Sequence, residues 1–493
     1  MSMTLNTICG TTYSEAWANE AFEGFCLDSR YVRPKQIFIA LNSYTRPEKT
    51  IEFAQAALNK GALAIISEVP LDLIPCVVCP EVRQQMGLWQ KHYLQQKYAI
   101  DPPPVLAVTG TNGKTTIARL MAELLTLNHL CCAVMGTTGN GILPHLVPAT
   151  HTTADALTLQ DMLFEYAQDG AHFVALEASS HGLVQGRLVG CDIQVAVYSN
   201  LSRDHLDFHH TLDAYATAKA QLFALPSLKT VVINLDDDYA ELMLTTARQN
   251  PAQPKILTYS RQASNADFFV DQIEFNLKGA QFKLHTPKGL IEISSPLLGQ
   301  FNIENLVASL AAVSAVGVDL HPLAPKLHQL VGAPGRMQVI EDNQRLFIVD
   351  YAHTPDALSQ VLISLKRHVD HQLWAIFGCG GDRDRGKRPL MTQAALTHAD
   401  QVVLTSDNPR TEPKAQIFAD MIEGVDLSTA TCQNIQDRRD AIRYAVQHAQ
   451  AGDIIVIAGK GHENYQEIDG VRHWFDDVVE VKLALGHMPD AAN

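Results

Sequence analysis

The run Thr109-Gly110-Thr111-Asn112-Gly113-Lys114-Thr115-Thr116 carries the plainest chemistry in the chain. It follows the apolar stretch Val105 to Val108 and precedes a helix-like segment, Ile117 to Leu127, which is the order a phosphate cradle requires. Glycines let the backbone turn sharply enough for several amides to face one anion. The Lys114 ammonium and the helix N-terminus add positive potential where phosphates would sit. The hydroxyl after the lysine, on Thr115, is placed to hold Mg2+. The common pattern has glycine five residues before Gly113, where this chain has Val108, so the cradle is a shorter variant.

A second chemical position lies where Phe173-Val174-Ala175-Leu176 ends in Glu177, followed by Ala178-Ser179-Ser180-His181-Gly182. A carboxylate at a strand tip beside a phosphate loop suits Mg2+, because hard cations take oxygen ligands and bridge phosphates. The same residues also read as a helix capped by Ser179 or Ser180 with Glu177 at its first turn. Asn200-Leu201-Ser202-Arg203-Asp204-His205-Leu206-Asp207-Phe208-His209 is too polar for a core segment and reads as a site loop. Any one of its histidines is more often a surface or capping residue than a ligand. By composition alone Lys219, in a small-residue helix, is an exposed helical lysine. Asp407-Asn408-Pro409-Arg410 has the composition of a turn.

Elements must position these residues. At 493 residues the chain is expected to hold about three domains. Residues 1–101 read as a small α/β unit with strands at Gln36 to Leu41 and Ala62 to Ser67 and helices at Ile51 to Lys60 and Glu81 to Lys97. Asp101-Pro102-Pro103-Pro104 punctuates the chain after it. Residues 105–332 alternate apolar strand-like runs with amphipathic helices, which predicts a mostly parallel sheet with helices on both faces. Between Asp267 and Ser295 closely spaced short strands predict an antiparallel insertion or edge. Gly332-Ala333-Pro334-Gly335 marks the next boundary, and residues 336–493 repeat the doubly wound pattern. The strand ends there carry Asp350, Gly378, Ser406 and Gly459, the places where ligands gather in such sheets.

Composition excludes several classes. Charged residues are 18% and hydrophobic ones 46%, which fits a globular enzyme and not a disordered chain. A net charge of -15 with no dense Lys/Arg run argues against nucleic acid as a partner. No apolar run approaches the roughly 18 residues of a membrane span, and residues 1–20 lack a basic segment followed by an apolar block. A cytoplasmic protein is expected. The nine cysteines are scattered and read as reduced thiols, with Cys76-Val77-Val78-Cys79 as a buried strand.

Taken together, TGTNGKTT, Glu177-Ala178-Ser179-Ser180, Asn200 to Asp207 and Lys219 resemble the Mur ligases, which join amino acids to the bacterial cell-wall precursor. The resemblance spans nearly the whole chain. It implies a uridine-binding first domain, a central ATP-binding domain and a C-terminal Rossmann-like amino-acid domain. It also implies that carbon dioxide carbamylates Lys219, giving an anion that helps Thr115, Glu177 and His205 hold Mg2+. A sheltered lysine is nucleophilic because its pKa is depressed, so the chemistry is permissive. ATP would be held by Gly110, Thr111, Asn112, Gly113, Lys114, Thr115 and Thr116, with Asn305 and Arg336 nearby.

Within the family, Asp407-Asn408-Pro409-Arg410 and Gly459-Lys460-Gly461-His462-Glu463 look like the pocket of the branch that adds meso-diaminopimelate to UDP-N-acetylmuramoyl-L-alanyl-D-glutamate. Arg410 offers a planar fork to the distal carboxylate and Glu463 an acceptor for the distal ammonium. Asp407, Asn408, Pro409 and Gly459 complete that pocket, and Arg383 resembles a second carboxylate-binding arginine. On the nucleotide-sugar side the resemblance implies Leu27, Ser29, His151, Thr152, Thr153, Ser179, Gln185 and Arg187. Three departures from the family's form stand out: the loop Asn42 to Pro47, His151 where asparagine is usual, and a Thr411-Glu412-Pro413 segment one residue short. The base for the amine is open between His353 and Asp350. Lysine addition, a folate-extending ligase and a nucleotide-binding scaffold without catalysis are the competing readings. An intact Lys114, Glu177, His205 and Lys219 argue against the scaffold.

Overall fold

The computed structural model describes residues 3–10, 13–43, 46–276, 279–427 and 431–487. Three large sheets, each mostly or wholly parallel, follow one another along the described residues, and a two-stranded antiparallel ribbon pairs Tyr465–Ile468 with Val471–Trp474. The first has four strands in sequential order, Phe25–Cys26, Ile37–Ala40, Ala64–Ser67 and Cys76–Val78, all parallel. Its last strand is an edge with one neighbour, so Val78 is exposed and Cys76 and Cys79 are half-buried, unlike the buried strand expected there. All nine cysteines are free thiols.

The central sheet has ten strands. Its middle runs Thr230–Asn234, Ile193–Tyr198, Val105–Thr109, Phe173–Glu177, Cys132–Gly136, all parallel. Val105–Thr109 is buried along its whole length because helices cover both faces. Alternation sorts its side chains: Leu106 and Val108 pack under the helices Lys114–Leu127 and Gln300–Ala315, while Val105 and Ala107 face Ala156–Gln168 and Ala240–Gln249. Phe268–Asn276, Gly279–Thr286 and Gly289–Ser295 form the antiparallel edge expected between Asp267 and Ser295.

The third sheet is ordered Gln338–Asp342, Arg345–Asp350, Ile454–Ala458, Leu373–Phe377, Gln401–Leu404, Thr431–Asn434. Only its first pair is antiparallel. Two ion networks lock its surroundings: Arg438 to Asp477 at 2.7 Å with both side chains 0% exposed, and Arg388 to Glu412 and Asp420. The first sheet is joined to the central one through a shared core, in which Phe25, Trp89 and Tyr93 pack with Leu157 and Phe164 of the helix Ala156–Gln168. Among the described residues, no helix is long and apolar enough to cross a membrane.

Candidate active site

The phosphate loop joins Val105–Thr109 to the helix Lys114–Leu127. Gly113 has φ +89°, and a Cβ there would lie 2.4 Å from Asn305 Oδ1, so the turn requires glycine twice over. Asn305 is itself fixed by donating to Asn302 Oδ1 at 3.1 Å. The loop is held from the next strand end: Asn200 accepts from the amides of Thr111 and Asn112 at 2.7 and 3.0 Å, and Ser199 Oγ donates to Asn112 O at 2.6 Å. Lys114 Nζ donates to the carbonyls of Gly110 and Thr111, both at 2.8 Å. Burial lowers its pKa despite Glu177 and Asp204 nearby. A phosphate entering the loop would take over those ammonium hydrogens.

Glu177 ends the neighbouring strand and is a meeting point. Thr115 Oγ1 donates to its Oε2 at 3.0 Å, and Thr137 donates to Oε1 through its amide at 2.8 Å and to Oε2 through its hydroxyl at 3.1 Å. The helix cap also exists, since Ser179 Oγ accepts from the Gly182 amide at 3.1 Å, but Glu177 lies on the strand and outside that helix. Among the described residues, no group of three or more His, Cys, Asp or Glu side chains could hold a metal. Mg2+ fits such a place better than a transition metal would, because it takes one or two carboxylates and completes its shell with water and phosphate oxygens.

Lys219 and His205 lie on either side of Tyr215. The Lys219 ammonium is 4.3 Å from the Tyr215 ring centroid and donates to Gly110 O at 2.6 Å, and the His205 ring is 6.0 Å from the same ring. Lys219 is buried and not the exposed helical lysine that composition implies. Burial drives its pKa well below the ordinary ammonium value, and Lys114 adds to the shift. An amine of lowered proton affinity beside the phosphate loop fits carbamylation. His205 sits at φ +54° and is drawn to Asp204, 3.5 Å away, while desolvation keeps its pKa low. Asp204 also meets His353 and Lys387, each at 3.7 Å, from the C-terminal part of the chain.

Of the residues implied for the nucleotide-sugar substrate, Thr153, Ser179, Gln185 and Arg187 form one network behind Glu177. Thr153 Oγ1 donates to Glu177 O at 2.7 Å and lies 3.0 Å from Ser179 Oγ. Arg187 donates to Thr153 O at 2.6 Å and to Gln185 Oε1 at 2.8 and 3.0 Å. Thr152 accepts from Thr137 at 3.3 Å, whereas His151 is exposed and pairs with Thr150 at 3.1 Å. In the first sheet's unit Ser29 is buried and Leu27 packs at the edge of the core. The loop Asn42 to Pro47 lies partly outside the described residues. Its start is anchored by Asn42 donating through its amide to Glu68 at 2.7 Å.

The residues implied for the amino acid gather at the strand ends of the C-terminal sheet. Asn408 Nδ2 donates to Glu463 Oε2 at 2.8 Å, although 55 residues separate them. Between them lies Lys460, part of the run Gly459 to Glu463 but given no role by the sequence, whose buried ammonium donates to Asn408 Oδ1 and Glu463 Oε2 at 3.1 Å each and to Asp407 Oδ1 at 3.4 Å. Arg410 has φ +53° and donates to Gly381 O at 2.8 Å. Arg383 is exposed and donates to Asp382 O at 3.2 Å. The shortened Thr411-Glu412-Pro413 segment is firmly tied: Thr411 donates twice to Asp382 Oδ2, at 3.0 and 2.8 Å, and Glu412 receives both terminal nitrogens of Arg388.

Gly335 and Arg336 bring this pocket to the phosphate loop. Gly335 has φ +64°, and a Cβ on it would lie 2.1 Å from the His462 amide nitrogen. Arg336 stacks over the Tyr351 ring at 4.4 Å and reaches Thr115 Oγ1 at 3.4 Å. Asp350, suspected as the base, has both oxygens occupied by the amides of Met337 and Ala352 at 2.8 and 2.7 Å, so it acts as a turn anchor. His353 shares its Nδ1 with Tyr351 O at 2.9 Å. Thr137 carried no signal in the sequence, and Asp204, Lys460 and His462 lay inside the site runs without a role of their own.

The match to known proteins covers both halves of this site. Residues 108–313 match the model of the Mur ligase middle domain, and residues 335–461 that of the Mur ligase glutamate ligase domain. A protein of Pseudomonas aeruginosa named UDP-N-acetylmuramoyl-L-alanyl-D-glutamate--2,6-diaminopimelate ligase is 40% identical, over 98% of either chain. A solved structure of a protein of that same name is 61% identical over 99% of both chains, with a TM-score of 0.76. At 19% identity and a TM-score of 0.61, Mycobacterium tuberculosis folylpolyglutamate synthase shares the fold over 76% of this chain and 92% of its own. With its phosphate loop and the residues from Arg383 to Gly459 inside the matched segments, Glu463 just beyond the second, and its full length matched by such relatives, the chain belongs to the Mur ligase family.

Proposed function

We infer that this chain is an ATP-dependent ligase that adds meso-diaminopimelate to UDP-N-acetylmuramoyl-L-alanyl-D-glutamate in the cytoplasm, during peptidoglycan precursor synthesis. The observation that carries the reading is the 2.8 Å hydrogen bond joining Asn408, two residues before Arg410, to Glu463, next to the His462 backbone on which Gly335 packs, with the following Arg336 3.4 Å from Thr115. A uridine-binding first unit separates it from folate extension, and the Arg410 fork from lysine addition.

A carboxylate is a poor acylating agent because its oxygen leaves badly, so it must first be phosphorylated. Lys114, freed from its own loop carbonyls, and the amides of Gly110 to Thr116 would hold the phosphates and offset charge on the transferred group. Thr115, Glu177, His205 and a carbamylated Lys219 would hold Mg2+. Bound there, the ion would neutralise charge between the phosphates. The burial that lowers the proton affinity of Lys219 supports the carbamate, whose charge Arg336 and Lys114 would balance. Arg187, fixed by Gln185 and Thr153, suits an anionic part of the sugar-peptide. Arg410 and Glu463 would orient diaminopimelate by its distal carboxylate and ammonium, so that its other amine points to the acyl phosphate.

Purified protein given ATP, Mg2+ and the UDP-muramoyl dipeptide should release phosphate with meso-diaminopimelate and scarcely with lysine. Equal turnover of the two amino acids would overturn the specificity.

A further inference from the structure

We propose that His462 takes the proton from the attacking amine in the second half of the reaction, an inference that rests on the ligase reading above. His462 precedes Glu463 of the amino-acid pocket and follows Lys460 by two residues. Its ring lies 5.4 Å from that of Tyr351, over which Arg336 stacks on its way to Thr115. It therefore stands on the path from the amino acid to the phosphate loop.

Its nitrogens are not equivalent. The ring donates toward the backbone of Thr137, the residue that grips Glu177, while Nδ1 is buried with no hydrogen-bond partner. Nε2 therefore carries the proton and Nδ1 a lone pair, which a buried site leaves idle only at a cost. The neighbouring titratable groups have other duties. Asp350 accepts two amides, the His353 Nε2 faces Asp204 at 3.7 Å, and Glu463 and Asp407 are held by Lys460.

The groups facing the imidazole are Arg336 from the segment after Gly335, Lys460 from its own loop, and the Tyr351 phenol from the loop after Arg345–Asp350. Burial first, then Arg336 and Lys460, push its pKa down to about 4, so it is neutral and able to accept. Phosphate oxygens near Arg336 would offset that cation and raise the proton affinity as the acyl phosphate forms. Diaminopimelate enters as the neutral amine. Its nitrogen lone pair forms the C–N bond, the N–H proton passes to Nδ1, and the C–O bond to phosphorus breaks with its electron pair leaving on phosphate. The phosphate then takes the proton from the imidazolium, and the ring is neutral again.

The test uses hydroxylamine, which is neutral at pH 7, needs no base and traps an acyl phosphate as a hydroxamate. In His462→Gln and His462→Asn, tripeptide formation should fall by about 10²- to 10⁴-fold, the usual contribution of a general base. Hydroxamate formation from the dipeptide should stay within a few-fold of wild type. Tripeptide formation by the variants should also climb with pH as more of the amine is neutral, more steeply than in wild type. Loss of hydroxamate and tripeptide in equal proportion would make His462 a structural residue and overturn the proposal, as would wild-type tripeptide turnover in both variants. Wild-type enzyme that forms hydroxamate but no tripeptide would instead sink the diaminopimelate reading.

Discussion

Replacing Lys460 with methionine should lower the melting temperature of the C-terminal unit and raise the KM for diaminopimelate. The Lys460 side chain is 0% exposed, 3.1 Å from Glu463 and 3.4 Å from Asp407, and methionine would fill its volume while leaving two carboxylates without their shared cation. At an effective dielectric of about 20, unit charges roughly 3 Å apart interact by roughly 5 kcal/mol, and removing one partner of a buried pair costs about 3–5 kcal/mol. The lower end applies, because Arg438 and Arg410 still act on Asp407. For a unit of this size about 3 kcal/mol lowers Tm by roughly 6–12 °C.

The pH dependence of that loss has a definite sign. Burial alone would raise the Asp407 pKa, but Lys460, Arg438 and Arg410 outweigh it and hold the carboxyl below its ordinary value. A depressed folded pKa contributes stability above the unfolded value of about 3.9, and that stability is lost as pH falls through the folded value. In the variant the burial effect gains, the carboxylate becomes a liability near neutral pH, and protonation relieves it. The gap in Tm between wild type and Lys460→Met should therefore narrow toward acidic pH, and adding Asp407→Asn should recover part of it. Thermal scans of the three proteins at neutral and acidic pH decide the matter. A Lys460→Met protein that melts within about 1 °C of wild type at pH 7 would refute the reasoning, as would a gap that widens on acidification.

Two further substitutions probe the proposed roles. Lys219→Ala should abolish turnover, and added bicarbonate should not restore it; full activity in steady-state assays would remove Lys219 from the metal shell. Arg410→Lys keeps the charge but loses the fork, so the KM for diaminopimelate should rise by roughly 10- to 100-fold, from the loss of about 1.5–3 kcal/mol of charged hydrogen bonding. The KM for ATP should hardly move, and an unaltered KM for diaminopimelate would place its distal carboxylate elsewhere.

The phosphate loop was legible because its chemistry sits in consecutive residues, and Glu177 because a strand end is a readable position. The parallel central sheet was legible from its unbroken apolar strands, since both faces are buried. Thr137 was not, and Asp204, Lys460 and His462 lay in the site runs without legible roles, because those roles depend on partners far away in sequence: Asp204 meets His353 and Lys387, Lys460 meets Asp407 and Asn408, and Thr137 meets Glu177. The Cys76 to Cys79 run read as buried because its composition is apolar. Only the strand order shows that it lies at an edge.

The same geometry says which part can move. The first unit and the central sheet share an apolar core through Leu157 and Phe164, and separating them would expose it. The C-terminal unit meets the central one mainly through polar contacts: Arg203 to Asp384 at 3.2 Å, Asn112 to Asp356 at 3.3 Å and Asp204 to Lys387 at 3.7 Å. The partly exposed pair of Arg203 with Asp384 contributes about 0–1 kcal/mol, so it can break and re-form as substrates enter and products leave, whereas Asp204 and Lys387 are both buried. Leu298 and Phe301, which pack on the C-terminal core next to Met337, keep an apolar pivot beside the Gly332 to Gly335 segment. Opening about that pivot would draw Arg410 and His462 away from Thr115 together, because Gly335 packs directly on the His462 backbone. The amine and its base would then arrive at the acyl phosphate as one body, after water has been shed.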